Sequence, residues 1–290
     1  MTIPLLRTEA ISKTYRMPDH IGRLVLDRLD FNLDDGEIVA ILGKSGSGKS
    51  TFLRILAGLV PPSDGMVQYR GHKVTEPAQG IAMVFQTYAL FPWLTVLGNV
   101  ELGLEALGIS GGERRRRAVD AIDLIGLDGF ETAYPKELSG GMRQRVGFAR
   151  ALVVNPDVLL LDEPFSSLDV LTAETLRGDL LDLWDASRIP TKGIVMVSHN
   201  IEEAVEVADR ILIFSSDPGR IRADIPVSLP RPRASSLVCN STARSATTIR
   251  LRSGVVISSG ASPGSSRASN PRSRAPSSRR YAKSSTDASW

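Results

Sequence analysis

Two glycine-bearing stretches carry residues suited to gripping phosphate. GKSGSGKS (43–50) has the spacing Gly-x4-Gly-Lys-Ser and lies between an apolar run, EIVAIL (37–42), and a helical pattern over 49–57. In that setting the backbone of Gly43, Lys44, Ser45, Gly46, Ser47 and Gly48 wraps phosphate oxygens and Lys49 reaches the outer phosphates. Ser50, with Thr51 beside it, supplies a hydroxyl oxygen to Mg²⁺. The second stretch, LSGGMRQR (138–145), opens another helical pattern with Ser139, Gly140 and Gly141. Glycine weakens a helix and is justified at its start where the backbone must approach something closely. A helix N-terminus is also an anion site. One chain therefore holds two phosphate-binding stretches.

VLLLDEP (158–164) is an apolar strand that ends in two carboxylates. Asp162 can hold Mg²⁺ through water, and Glu163 is placed to polarise an attacking water. His199, in MVSHN (196–200), follows another strand, with Asn200 and Glu203 spaced as a capping box for the next helix. Gln86 ends a further apolar run, 81–85. Tyr15 suits either a strand surface or the face of a base. Arg114 to Arg117 reads as a solvated helix face.

Taken in order, the 43–50 loop, Gln86, LSGGMRQR, LLLDEP with SSLD (166–169), and a histidine after a strand resemble the ATP-binding subunits of ABC transporters, over about residues 3–233. FQTYALFPWLTV (85–96) and DPGRI (217–221) look like the nitrate/sulfonate/taurine importer group, although Gly98 stands where a Glu is frequent before Asn-Val. The resemblance implies ATP and Mg²⁺ as cofactors and catalytic roles for Glu163, His199 and Gln86. It adds Gln86 to Ser50 and Asp162 around the metal, and Tyr15 and Asp169 to the nucleotide site. It also implies a head-to-tail dimer, in which Ser139, Gly140 and Gly141 of one chain meet ATP held by the other. Permease subunits would dock on a helical insertion whose Tyr88, Phe91, Pro92, Trp93 and Leu94 form a groove. A periplasmic or extracellular solute-binding protein would act indirectly. The rival is a soluble cassette ATPase acting on nucleic acid or ribosomes; only about ninety residues, without extended heptads, separate Lys49 from Ser139.

The elements that must position these residues alternate as in a parallel α/β protein. Strands are expected at 37–42, 81–85, 158–161, 193–197 and 210–214, and helices at 96–107, 113–125 and 139–153. The expected fold is an α/β P-loop NTPase core of RecA-like, ABC type, with a helical subdomain at about 87–154 and an antiparallel β region near the N-terminus. No apolar run reaches the roughly 18–20 residues that span a bilayer. MTIPLLRTEA lacks the pattern of a secretory leader. The expected location is the cytoplasmic face of the inner membrane, held there by partners. The lone Cys239 forms no internal disulfide.

The formal charge of +3 is unevenly spread. From Ala234 onward there are nine Lys/Arg and one acid, Asp287, leaving 26 bases against 31 acids in residues 1–233. The globular part is acidic, which speaks against a nucleic-acid partner. After LPRPR (229–233) the Ser/Arg/Ala-rich sequence keeps no sustained period, and only 255–257 hints at a strand. Such composition predicts disorder over 234–290. The abrupt loss of acids also has the form of a frameshift product, the alternative being a basic tail that touches anionic lipid.

Overall fold

The computed structural model describes residues 3–16, 22–231 and 233, and two strands farther on. An Asp35–Gly36 turn, with Gly36 at φ 77°, delivers the chain into β3 (Glu37–Leu42). β3, β7 (Val158–Asp162) and β8 (Gly193–Ser198) are buried almost throughout, as parallel strands covered on both faces must be. With β6 (Ile81–Val84), β9 (Arg210–Phe214) and β10 (Ile221–Pro226) they form a sheet of order β10-β9-β3-β8-β7-β6. Only β10 runs antiparallel to its neighbour. The five strands anticipated in the sequence stand, with boundaries moved by at most one residue.

The expected antiparallel region is a second sheet, β2-β1-β4-β5. It combines β1 (Leu6–Arg16) and β2 (Gly22–Leu33) with β4 (Asp64–Tyr69) and β5 (His72–Lys73), which follow only after α1 (Lys49–Leu56). α1 packs its Phe52, Leu53, Ile55 and Leu56 into a core shared by both sheets. The Phe52 ring lies 5.8 Å from Phe31 of β2 and 5.6 Å from Phe214 of β9. Each such side chain stabilises the fold by about 1.5–3 kcal/mol when fully buried, so the helix beneath the 43–50 loop is held from two sides.

Between β6 and β7 lies the helical insertion: α2 (Val96–Ala106), α3 (Gly111–Leu124) and α4 (Gly140–Leu152). Val100 and Leu104, Ala118 and Ile122, and Val146 and Ala149 form its buried seams. Two further helices follow the insertion; the sequence points to the second, through the capping-box spacing after His199, and not to the first. In α5 (Val170–Asp185), Leu176, Leu180 and Leu183 form an apolar stripe, and α6 (Ile201–Val207) buries Ala204, Val205 and Val207.

The chain divides into two units, Met1–Thr242 and Ala243–Trp290. In the second, β11 (Thr248–Arg250) and β12 (Val256–Ser258) pair antiparallel, with Ile249 opposite Ile257. The strand hinted at over 255–257 thus has a partner; the expectation of disorder for the rest of 234–290 falls outside the described residues. Among the described residues no helix is long and apolar enough to cross a membrane.

Asp157, just before β7, fastens the two sheets of the first unit. Its Oδ2 accepts from the Tyr69 hydroxyl at 2.5 Å and from Arg70 Nε at 2.8 Å, while Lys192 Nζ lies 3.3 Å from Oδ1. Burial works to raise the Asp157 carboxyl, but the Tyr69 hydroxyl and the Arg70 guanidinium prevail and hold it below the ordinary value. A depressed carboxyl contributes stability above its unfolded value, about 3.9, and loses it as pH falls through the folded one. Asp157→Asn should therefore destabilise the protein by roughly 1–3 kcal/mol at pH 7, a loss of several degrees in Tm. The difference from the wild type should shrink below about pH 4 in denaturant melts.

Candidate active site

The parallel strands end in step. Leu42 lies opposite Ser198, Asp162 opposite Val197 and Leu161 opposite Val84. The loops leaving β3, β6, β7 and β8 consequently open at one edge of the sheet, where ligands of open α/β sheets bind. They carry the 43–50 loop, Gln86, Asp162 with Glu163, and His199.

In the 43–50 loop Gly48 caps α1 at φ 90°, and a Cβ there would lie 2.5 Å from Leu26 Cδ2. Both conformation and space exclude a side chain. Lys49 is buried, and its Nζ donates to Gly43 O at 2.8 Å and Lys44 O at 3.1 Å. Desolvation lowers its pKa against the opposing pull of Glu163 and Asp162. Ser50 Oγ donates to Asp162 Oδ1 at 2.7 Å, across 112 positions of sequence. Asp162 is buried, and burial raises its carboxyl, while Ser50, Arg54 and Lys49 draw it the other way.

Glu163 turns away from β7 with φ 47°, a conformation costly for a side-chain-bearing residue. Its N–H stays bonded to Val197 O at 3.0 Å. The turn aims the carboxylate at two of the other anticipated residues. Gln86 Nε2 donates to Oε2 at 3.2 Å, and His199 Nδ1 lies 3.4 Å from the same oxygen. Ser166 Oγ accepts a second, longer contact from Gln86, at 3.4 Å.

The remaining anticipated residues lie elsewhere. Ser139 caps α4 by accepting from Met142 N at 3.2 Å, and Asp169 caps α5 by accepting from Thr172 N at 3.0 Å. Among the described residues no hydrogen bond joins 139–141 to the 43–51 loop. Gly141 is buried, and a Cβ there would sit 2.5 Å from Thr172 Cγ2; at Gly140 the nearest atom, Tyr88 Oη, is 3.4 Å away. The two adjacent glycines thus answer different constraints: Gly141 makes room for α5, while Gly140 leaves the helix end open. Tyr15 is exposed on β1 opposite Arg23, with Lys13 Nζ 5.0 Å from its ring centre.

The apolar groove anticipated at 88–94 splits. Phe91, Pro92 and Trp93 are exposed, with Trp93 70% accessible, whereas Leu94 and Tyr88 are half-buried. Tyr88 lies beneath the glycine helix: its hydroxyl accepts from Ser167 Oγ at 3.0 Å and Arg143 stacks over its ring at 5.6 Å. Asn99, not singled out in the sequence, is fully buried. Its amide bonds Phe91 N and O, Leu94 O and Thr95 O at 2.8–3.1 Å. The capping box anticipated at α6 forms only by half. Asn200 Oδ1 accepts from the N–H groups of Glu202 and Glu203, but the Glu203 carboxylate turns to the Ser198 hydroxyl.

The donor set suits a hard divalent cation. Ser50 Oγ and the buried Asp162 carboxylate are adjacent oxygens, and the Gln86 nitrogen is engaged with Glu163, which leaves its carbonyl oxygen as a further donor. Among the described residues no group of three or more His, Cys, Asp or Glu could hold an ion.

Residues 26–166 match the family described as ABC transporter. A nitrate import ATP-binding protein of Synechocystis sp. is 45% identical over 207 residues, covering 71% of this chain and 77% of that protein. A taurine import ATP-binding protein of Rhizobium johnstonii is 45% identical over 212 residues, covering 72% and 80%. Among solved structures, a dimeric ATP-binding cassette in a post-hydrolysis state with ADP and Pi is 33% identical. It superposes with a TM-score of 0.68 over 78% of this chain and all of that one.

The Gly141–Thr172 contact is open to direct test. Alanine favours a helix over glycine by about 1 kcal/mol, so Gly140→Ala should leave Tm unchanged or raise it. Gly141→Ala should lower stability by about 1–3 kcal/mol through overpacking. Adding Thr172→Ser, which deletes the offending methyl, should recover most of that loss in thermal melts.

Proposed function

Because this chain belongs to the ABC transporter family of ATP-binding proteins, we propose that its ATPase activity drives an importer, for nitrate, sulfonate or taurine-like solutes. The observation that carries this reading is the division of the site. Lys49, Ser50, Gln86, Asp162, Glu163 and His199 converge at one sheet edge, while among the described residues the Ser139–Gly140–Gly141 helix start shares no hydrogen bond with the loop. A nucleotide gripped from both sides then needs two copies arranged head to tail.

In the mechanism ATP phosphates lie in the 43–48 loop, and Lys49 leaves the carbonyls of Gly43 and Lys44 to meet the outer phosphate oxygens. Ser50, Gln86 and, through water, Asp162 would hold Mg²⁺, which would supply positive charge against the phosphates. Glu163 accepts the proton of the attacking water as its oxygen bonds to the γ-phosphorus and the bond to the β–γ bridging oxygen breaks. His199 and Gln86 fix the direction of that carboxylate. The partner's Ser139, Gly140 and Gly141 offer backbone N–H groups and the positive end of α4 to the γ-phosphate. Closure of the pair moves permease subunits seated at Phe91, Pro92 and Trp93, where an exposed aromatic patch suits an interface. The subunit is then peripheral to the cytoplasmic face of the membrane, and a separate solute-binding protein selects the cargo.

Glu163→Gln should retain ATP binding, lose at least about 100-fold in turnover, and accumulate as an ATP-dependent dimer by size-exclusion chromatography. Lys49→Ala should weaken nucleotide binding itself. Wild-type turnover in Glu163→Gln would refute its role as the base.

Replacing Phe91 and Trp93 by Ala should impair co-purification with the permease and transport-coupled ATPase, with nucleotide affinity preserved. Unaltered assembly and transport would show that docking occurs elsewhere.

A further inference from the structure

His199 is exposed, its side chain 63% accessible, and among the described residues no hydrogen bond from another part of the fold holds its ring apart from the contact with Glu163. Its direction must come from the backbone on either side of it. There the structure is unusually tied. Ser198, the last residue of β8, is buried; its Oγ accepts from Asn200 N at 2.9 Å and donates to Glu203 Oε2. Asn200 Oδ1 accepts from Glu202 N at 2.8 Å and Glu203 N at 3.3 Å. The residues before and after His199 are thereby joined through one hydroxyl, and that hydroxyl is set by one carboxylate.

Glu203 is an expensive choice for the task. It is 8% exposed, and its Oε1 is buried with no hydrogen-bond partner. Burial pushes its carboxyl up, while the Ser198 hydroxyl and the nearby Arg177 and His199 draw it down. A simple helix cap would leave this side chain at the surface, reaching back to the Asn200 N–H. Arg177 of α5, itself buried, pairs with Glu206 one turn further along α6 at 2.9 Å. The last turn of α6, just beyond Glu203, is therefore tied to the helix that Asp169 caps.

We propose that Glu203 is a positioning residue for hydrolysis, which acts through the Ser198 hydroxyl to hold His199 against Glu163. The inference rests on the role of His199 given above. A carboxylate that only filled space would not need the Ser198 contact, and one that only capped α6 would bond the Asn200 N–H directly.

Steady-state ATPase kinetics on the full chain, with Tm recorded for each variant, test this. Glu203→Ala and Ser198→Ala should each lower kcat by about tenfold or more, as small misplacements of a reacting geometry do, with KM for ATP changed less than about twofold. Glu203→Gln should recover most of kcat, because its amide oxygen still accepts from Ser198. In a His199→Ala background, Glu203→Ala should cost no further turnover, the signature of one residue acting through another. A further loss as large as in the wild type, or a Gln variant as impaired as Ala, would overturn the proposal. If Glu203→Ala does not fold, Ser198→Ala and Glu203→Gln carry the same comparison. Wild-type turnover in His199→Ala would remove the role of His199, and this inference with it. Loss of turnover in His199→Ala combined with additive loss from Glu203→Ala would remove this inference alone.

Discussion

The in-step ending of four parallel strands is the constraint on which the site depends. Because Leu42 faces Ser198 and Asp162 faces Val197, residues scattered from position 43 to position 199 meet without any long side chain having to search for its partner. A slip of one position would turn each side chain to the opposite face, so the register is enforced by apolar residues buried on both faces of β3, β7 and β8. The Ser50–Asp162 contact depends on it, and so does the unusual backbone of Glu163. That residue keeps its ladder bond to Val197 while its side chain leaves the sheet. The strain is local, and the sheet around it is what sustains it.

Much of this was legible in the sequence because the signals are local. Glycines at fixed spacing, apolar runs of strand length, and carboxylates just past a run each mark a place where a parallel strand ends and a loop begins. Helices α2, α3 and α4 were visible through their period. The contacts between elements were less accessible. Nothing local tells that Gly141 lies under a methyl group of Thr172, thirty-one positions away, so its glycine was attributed to phosphate alone. Glu203 has capping-box spacing, but a buried hydroxyl nearby competes for its carboxylate. Asn99 sits in an apolar helix with no motif around it, and only the course of the preceding loop reveals why an amide is there. The second sheet was also only partly visible, since its strands arrive from both sides of α1 in sequence.

The two glycine-bearing stretches differ in how they are supported. The 43–50 loop is continuous with α1, whose Phe52 is clamped between Phe31 and Phe214, so the loop inherits the rigidity of both sheets. The 139–141 helix start belongs to the insertion and rests on α5 through Gly141, and on Tyr88 through Arg143. Arg145 bonds Ile125 O at 2.8 Å and pairs with Asp179 of α5, a further link between insertion and core. Side chains and short contacts, rather than a shared sheet, hold the second stretch.

Asn99 has a consequence for how force would pass through the molecule. Its amide is bonded to backbone at both Phe91 and Leu94, and the Phe91 and Trp93 rings lean together at 5.3 Å. The aromatic pair is thus mounted on a segment already fixed before any partner arrives. An interface made there forfeits little conformational freedom on forming. A fixed mount also transmits displacement without absorbing it: motion of α2 is motion of Trp93. The buried amide therefore makes the exposed rings a stiff lever arm, where an unpinned loop of the same sequence would yield under load.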